Sequence, residues 1–459
     1  MTLSPSAFKQ LRRIVGRDYC TREAADTVCY AYDATARVCL PEAVVFPADT
    51  AQVAAILQLA NQAKFPVIPR GSGSGMTGGS LPVAGGVVLV TSRLNRILEI
   101  DPDNLLARVQ PGVITGDFHA AVEARGLFYP PDPASAAFSS LGGNVAEGAG
   151  GPRAVKYGVT RDYVMGLEVV LPTGGIIHTG VRTVKGVAGY DLTRLLVGSE
   201  GTLGVITEIR LRLLPLPEEV RTMTAVFADM TVAAETVSAI IAGGIIPRTI
   251  EFLDQASIRC AENRLQAGLP VEADAMLILE VDGTSAENEA ALARLTRICR
   301  DKGAGVKVAA DRAEAERLWQ ARKAVSPALF AYGPDKINED IVVPRSRIPE
   351  MIKKIQGIGR ATGLVTAGFG HAGDGNIHVN IMLDKSDPAQ LRQAEAAIAD
   401  LFDYTIALGG TISGEHGIGT TKAVYMSSEF GPVEIELMKK IKDLFDPNGI
   451  LNPGKIFPE

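Results

Sequence analysis

The stretch Arg70-Gly71-Ser72-Gly73-Ser74-Gly75-Met76-Thr77-Gly78-Gly79 confines the folds open to this 459-residue chain. It holds a formal G-x-G-x-x-G at Gly73, Gly75 and Gly78, and a strand expected at 66–69 runs straight into it. A Rossmann fingerprint needs a strand–turn–helix setting, because the helix N-terminus receives the pyrophosphate. Here the loop leads instead into Leu81-Pro82-Val83-Ala84-Gly85-Gly86 and a second strand at 87–90. The loop is therefore read as a nest of successive backbone N–H groups that cradles phosphate, not as a Rossmann turn. The strand before it and Arg70 weaken the other reading, a flexible surface loop. Glycine, 48 residues in all, clusters again at 142–151 and 198–204. Backbone is thus expected to approach a large cofactor at three places.

The side-chain chemistry concentrates elsewhere. Of the five histidines, His371 and His378 flank the turn Gly373-Asp374-Gly375-Asn376, and His416 follows Glu415 in Ser413-Gly414-Glu415-His416-Gly417. The glycines oppose a helix. The apolar runs 364–369 and 377–383 are therefore expected to form a hairpin that folds both imidazoles toward one point. With Glu415 they would make a two-His, one-carboxylate set suited to a divalent metal with an open position. The alternative leaves them as backbone hydrogen-bond partners in a glycine-rich turn. His119, on a helix expected at 117–125, and His178, beside the turn 172–175, are read as structural.

The chain is too long for one core, so about two or three domains are expected. It is 46% hydrophobic and 21% charged with a net charge of −6, which gives no electrostatic footprint for nucleic acid. Its five cysteines (Cys20, Cys29, Cys39, Cys260, Cys299) are scattered and lack any C-x-x-C, so neither an iron–sulfur ligand set nor a disulfide framework is indicated. Residues 1–10 lack a signal peptide's apolar core and no apolar run reaches membrane-spanning length. The expectation is a cytoplasmic protein without an integral membrane segment, with attachment to the inner face of the membrane through a partner left open.

Residues 1–40 read as polar and helical, and 44–46 as a strand. Asp49 reads as an N-cap with Gln52 as its capping-box partner, opening a helix that places Val53, Ile56, Leu57 and Ala60 on one face. Strands are expected at 97–100, 106–110 and 207–214, and as a hairpin of 164–171 with 176–178. Pro130-Pro131-Asp132-Pro133 must run extended. After Pro215 and Pro217 the pattern changes to strand 222–228, helix 231–242, strand 248–253, a further helix, strand 276–281, helix 286–302 and strand 305–309. Two β-α-β units in tandem imply a ferredoxin-like antiparallel sheet. A helix at 313–329 carries Trp319, Arg322, Lys323 and Ser326; a strand at 341–343 and helices at 348–362, 388–407 and 433–445 complete the chain.

Four segments in order, 69–79, 131–133, 140–146 and 198–206, resemble the FAD-binding domain of the vanillyl-alcohol oxidase / p-cresol methylhydroxylase (PCMH) superfamily. Gly148 departs, standing where the family carries asparagine. The stretches His371-x-Gly-Asp-Gly-Asn-x-His378, Glu415-His416-Gly417 and Asn452-Pro453-Gly454-Lys455 look like that superfamily's FAD-linked D-2-hydroxy-acid dehydrogenases, which include D-lactate dehydrogenases and the glycolate oxidase FAD subunit. The resemblance covers residues 40–459 and implies an α+β fold. Its parts would be a two-subdomain PCMH-type FAD-binding domain (1–217, core about 38–217), a ferredoxin-like substrate or cap domain holding the metal site (218–417), and a helical C-terminal segment returning to the FAD domain (418–459).

The same resemblance implies site residues. FAD would be held by Pro69, Arg70, Gly71, Ser72, Gly73, Ser74, Gly75 and Met76, by Pro131, Asp132, Ser140, Gly142, Gly143 and Ala146, and by Tyr157, Gly158, Glu200, Gly201, Gly204, Ile206 and Asn452. The glycine loops contain no histidine, which implies non-covalent FAD. His371, His378 and Glu415 would ligate Zn, Fe or Mn; His416 would be the base, Arg322 would hold the substrate carboxylate, and Ser326 and Asn380 would line the pocket. A short D-2-hydroxy acid, D-lactate or glycolate, would be oxidised to the 2-oxo acid by hydride transfer to flavin N5, with the metal and His416 activating the hydroxyl. Lys336-Ile337-Asn338-Glu339-Asp340 aligns no lysine cleanly with the distal-carboxylate lysine of hydroxyglutarate dehydrogenases, which favours the short acid over D-2-hydroxyglutarate. A non-redox FAD enzyme of the alkylglycerone-phosphate synthase type is the other alternative. Electrons would pass to an electron-transferring flavoprotein, an iron–sulfur subunit or a quinone, and a homodimer is compatible with the resemblance.

Overall fold

The computed structural model describes residues 3–35 and 37–458, so residues 1, 2 and 36 of the expected N-terminal helical stretch lie outside it. The chain divides into two compact units: Met1–Gly150, Val159–Leu216 and Glu415–Glu459 form the first, Gly151–Gly158 and Pro217–Gly414 the second. The division differs from the expected boundaries at two points. Residues 151–158 join the second unit, and the return to the first falls after Gly414, not after residue 417. Glu415 and His416 are therefore grouped with the glycine loops and not with the substrate domain.

In the first unit, Ser4 caps the helix Pro5–Val15 by accepting from Ala7 N–H, and Pro5 sits where a missing N–H does no harm. Its buried Ala7, Leu11 and Val15 recur at fourfold spacing and enter one core with Val53, Ile56, Leu57 and Ala60 of the helix Thr50–Ala63. Burying each valine, leucine or isoleucine among them stabilises the fold by about 1.5–3 kcal/mol. Asp49 Oδ1 caps Gln52 N–H at 2.8 Å as expected, and the Gln52 side chain reaches back to Ala48 N–H, one residue beyond the cap. One sheet runs Cys20–Thr21, Ala43–Val45, Val87–Val90, Val67–Arg70, and its last three strands are parallel. The second is antiparallel: Ile97–Asp101, Leu106–Val109, Val205–Arg212, Val164–Val170, Ile176–His178. The C-terminal segment hydrogen-bonds to the first sheet, where Val67 N–H donates to Ile450 O and Asn452 N–H to Val67 O.

The second unit is one seven-stranded antiparallel sheet with helices. Its first four strands lie in the spatial order Gly305–Val308, Glu219–Phe227, Ala275–Gly283, Thr249–Asp254. That order, fourth-first-third-second, is the ferredoxin-like arrangement anticipated from the tandem β-α-β pattern. Val365–His371, Asn376–Leu383 and Asp335–Val342 extend the sheet beyond Thr249–Asp254. The last of these begins well before the expected 341–343, because ladder pairing with Asn376–Leu383 outweighs the weak strand propensity of Lys336, Asn338 and Asp340.

Candidate active site

The first unit holds an open cleft lined by all three glycine loops. Residues 69–76, then Ser140, Gly142, Gly143 and Ala146, then Glu200, Gly201, Gly204 and Ile206 all line it. The glycines are needed sterically. At Gly73 (φ +70°) an added Cβ would lie 2.1 Å from Arg70 Nη2, and at Gly142 it would lie 2.4 Å from Pro111. Arg70 braces its own loop, donating to Tyr32 O at 2.7 Å and Ser80 Oγ at 3.2 Å. Gly148 takes φ +72° at the end of the helix Leu141–Glu147, a left-handed position that asparagine also tolerates.

Five of the expected cofactor residues lie outside this lining. Pro133 and Ala134 reach the cavity in place of Pro131 and Asp132, and the Pro131 carbonyl meets His119 Nε2 at 2.9 Å. Tyr157 and Gly158 fall in the second unit, where the Tyr157 hydroxyl donates to Asp282 at 2.8 Å. Asn452 stands behind the wall, its Nδ2 donating to Gly79 O and Glu200 O and so tying two of the loops together. His178 pairs with Glu168 on the surface, consistent with a structural role.

The cavity's acidic groups were not anticipated as a pair. Glu200 accepts from Ile418 and Gly419 N–H, each at 2.7 Å, which holds the loop carrying Glu415 and His416; both of those residues also line the cavity. Glu147 lines it too, with a buried Oε2 that has no hydrogen-bond partner. Burial first and the charge of Glu200 second push the Glu147 carboxyl well above its ordinary value. Burial likewise lowers Lys455 to about 8 despite the nearby Glu200 carboxylate.

In the second unit the histidine hairpin forms as the glycines require. Gly375 takes φ +90°, and a Cβ there would lie 2.1 Å from the Val343 carbonyl oxygen. In the ladder His378 pairs with Phe369, so His371, two residues on, shares its face. The two imidazoles lie 5.2 Å apart, centroid to centroid, at right angles. Across the next strand Glu251 stands directly opposite His371, and across the other side Asp340 stands opposite His378. Asp340 Oδ1 accepts Gly414 N–H at 2.7 Å, which fixes the residue immediately before Glu415 in the chain.

Glu251 is fully buried and accepts from both His371 Nδ1 and Arg322 Nε at 2.6 Å. Burial raises its carboxyl pKa, but His371 and Arg322 together hold it below the usual carboxylate range. Arg322, on the helix Arg312–Ala328, also lies over the Phe369 ring at 4.6 Å. Ser326, one turn on, accepts Lys336 Nζ at 2.7 Å, and Asn380 accepts Asn338 Nδ2 at 2.8 Å. Burial lowers the Lys336 ammonium below its ordinary value. A lysine therefore stands beside Ser326. Sequence reading passed over Glu251, although a glutamate between Ile250 and Phe252 was itself a signal: a charge inside an apolar strand calls for buried partners.

Residues 41–180 match the FAD binding domain family and residues 216–456 match the family of FAD linked oxidases, C-terminal domain. The glycolate oxidase subunit GlcD of Bacillus subtilis is 46% identical over 451 residues, covering 98% of this chain and 96% of that protein. The D-lactate dehydrogenase of Anaerostipes hadrus is 36% identical over 425 residues, covering 91% and 89%. Among solved structures, p-cresol methylhydroxylase with substrate bound superposes with a TM-score of 0.81 at 19% identity, over 98% of this chain and 96% of that one. An alkyldihydroxyacetonephosphate synthase gives 0.77 at 18%, over 98% and 84%. These two share the fold with this chain at identities too low to speak for its chemistry. The cavity lined by backbone and glycine fits FAD, and the chain belongs to the FAD-linked oxidases, as an oxidoreductase of the glycolate oxidase subunit and D-lactate dehydrogenase type.

Proposed function

We propose that this protein oxidises a short D-2-hydroxy acid, glycolate or D-lactate, to its 2-oxo acid, with FAD held non-covalently and a divalent metal on His371, His378 and Glu415. The observation that carries the reading is the pair of buried imidazoles on one sheet face, with Arg322 anchored beside them through Glu251. Asp340 pins the backbone just before Glu415, which supports the third ligand. Bound FAD supplies the two-electron acceptor, and a divalent ion on the three ligands supplies Lewis acidity.

The chain's own residues do the rest. Glu251 engages Arg322 through Nε, and the guanidinium's terminal NH₂ groups are the donors offered to a substrate carboxylate. His416 is the group assigned to take the hydroxyl proton, as an imidazole nitrogen is suited to general-base work. Its backbone carbonyl accepts from Thr77 Oγ1, which keeps the imidazole's attachment point fixed. Electrons leave through a protein partner or a quinone, in keeping with the word subunit in the relatives' names. No helix among the described residues is long and apolar enough to cross a membrane, and we place the protein in the cytoplasm, docked to such a partner.

Anaerobic addition of D-lactate or glycolate should bleach the flavin band, L-lactate should not, and stoichiometric metal should copurify. A flavin left oxidised by every short D-acid would overturn the reading and point to the non-redox alternative. Lys336 beside Ser326 favours one further reading, D-2-hydroxyglutarate, with the lysine on the distal carboxylate. Faster bleaching by that diacid than by D-lactate would establish it.

A further inference from the structure

We propose that Asn452 is a positioning residue of the cofactor cleft: its amide, oriented by Lys455, fixes the spacing of two glycine loops and so sets how tightly FAD is held. The groups involved all lie in the first unit. Asn452 Nδ2 donates to Gly79 O at 2.9 Å, at the end of the loop 70–79, and to Glu200 O at 2.7 Å, in the loop 198–204. Gly79 and Glu200 line the cleft, whereas Asn452 stands behind them. On the other side of the amide, Lys455 Nζ donates to Asn452 Oδ1 at 3.2 Å and to Leu81 O at 2.7 Å. Asn452 is 1% exposed and Lys455 4%, so little water competes for these bonds. The root of the side chain is held as well. Asn452 N–H donates to Val67 O at 2.9 Å, and the residue takes φ +44°, a left-handed conformation that asparagine tolerates.

Donor and acceptor inventories fix the orientation of the amide. Two backbone carbonyls can only accept, so the NH₂ group must face them and Oδ1 must face the lysine. Both amide hydrogens are then used, one on each loop, and a single planar group spans the gap between them. Glu200 carries the connection further. It takes φ +51°, a conformation that a residue other than glycine keeps only where its surroundings hold it. Its backbone carbonyl is held by Asn452, and its carboxylate accepts from Ile418 and Gly419 N–H, each at 2.7 Å. The loop that bears His416 is therefore tied to the same residue. Loops already held in their bound arrangement take up a ligand without the entropic cost of ordering, and a cleft that must order its loops on binding loses affinity by that amount.

Asn452→Gly and Asn452→Asp separate positioning from packing. Glycine accepts the left-handed backbone and removes the amide. Aspartate keeps the size but sets a carboxylate oxygen against two carbonyl oxygens. Kd for FAD is measured on the holoenzyme from the flavin fluorescence released on dilution, at a temperature well below the melting point of every variant, and the melting points are recorded beside it. The expected Kd is about tenfold above wild type for Asn452→Gly, which loses two neutral hydrogen bonds, and about 100-fold above it for Asn452→Asp. Lys455→Met, which leaves the amide free to turn over, should raise Kd about three- to tenfold. A side chain that only filled space would give the reverse order, with aspartate near wild type and glycine worst, and that order would overturn the inference. Kd values within about twofold of wild type alongside lowered melting points would overturn it too, leaving Asn452 a purely structural group. Where Asn452→Asp does not fold, Asn452→Gly and Lys455→Met decide by the same criterion.

Discussion

The candidate cofactor site in the first unit is walled by backbone, and the candidate substrate site in the second is built from side chains. Around the FAD cavity the wall is glycine and loop, and the buried acids Glu147 and Glu200 lie against each other with carboxyls pushed up. On the sheet of the second unit Glu251 and Asp282 each have a guanidinium or ammonium group beside them. Glu251 holds His371 and Arg322, and Asp282 holds Lys156 and Arg248; burial raises both acids, yet both end below their ordinary values. Asp254 shows what happens without one. Equally buried but given only Ser257 and Gly368 as partners, it is pushed up to about 6. A long, flexible cofactor is matched by many weak backbone contacts. A small substrate and a metal need few donors held rigidly, and paired charges supply that rigidity.

The largest expected effect breaks the side-chain site alone. His371→Ala or His378→Ala should lose stoichiometric metal and cut kcat/KM roughly a thousandfold, the equivalent of several kcal/mol of Lewis-acid stabilisation. Flavin absorbance should be unchanged, because the cavity lies in the other unit. Metal analysis and the flavin spectrum on one sample check both halves; metal retained in both variants would leave the histidines as hydrogen-bonding groups. Gly73→Ala is the converse test. A side chain forced to φ +70° and against Arg70 costs about 1–3 kcal/mol, so FAD should bind about 10–100-fold more weakly while bound metal persists. Fluorescence titration of the apoprotein with FAD measures it.

Lys336→Ala sharpens the contrast within the second unit. Removing a charged donor to a carboxylate costs about 1.5–3 kcal/mol, a 10–100-fold rise in KM if the substrate carries a distal carboxylate. For D-lactate or glycolate anchored by Arg322 the rise should be only a few-fold, and steady-state kinetics with the two acid classes decide between them. The smallest effect concerns Glu147, which faces Glu200, Asp33 and Lys455. Its carboxyl is raised, so the folded state binds a proton that the unfolded chain releases at about 4.3, and stability falls as pH rises above that value. Glu147→Gln should therefore match wild type near pH 4 and melt about 2–4 °C higher near pH 8. Melting curves that stay superimposed at both pH values would show that the pair is already neutralised by a partner.

Legibility in the sequence tracked the range of the cause. The loops at 69–76, 140–146 and 200–206 were readable because a glycine that admits a cofactor is a local property. So was the His371–His378 hairpin, since Gly375 and the flanking apolar runs act within a few residues. The four-strand ferredoxin-like order was readable from the alternation of strand and helix. The partnership of Glu251 with His371 and Arg322 was not, because strands and a helix far apart in the chain meet only through ladder register and helix packing.

Lys336 illustrates the same limit from the other side. Its place beside Ser326 depends on the strand Asp335–Val342 pairing along its whole length with Asn376–Leu383, which a short apolar run at 341–343 does not announce. The chemical inventory is legible in the order of residues: the glycine loops, three histidines in two clusters, a carboxylate beside one of them, and the α+β alternation. Tertiary structure alone decided which unit carries Glu415 and His416, which acids are paired and which are stranded, and which oxygen faces which donor. Composition and periodicity report what a residue can do, whereas burial and register set the dielectric and the partners that fix its charge, its tautomer and its reach.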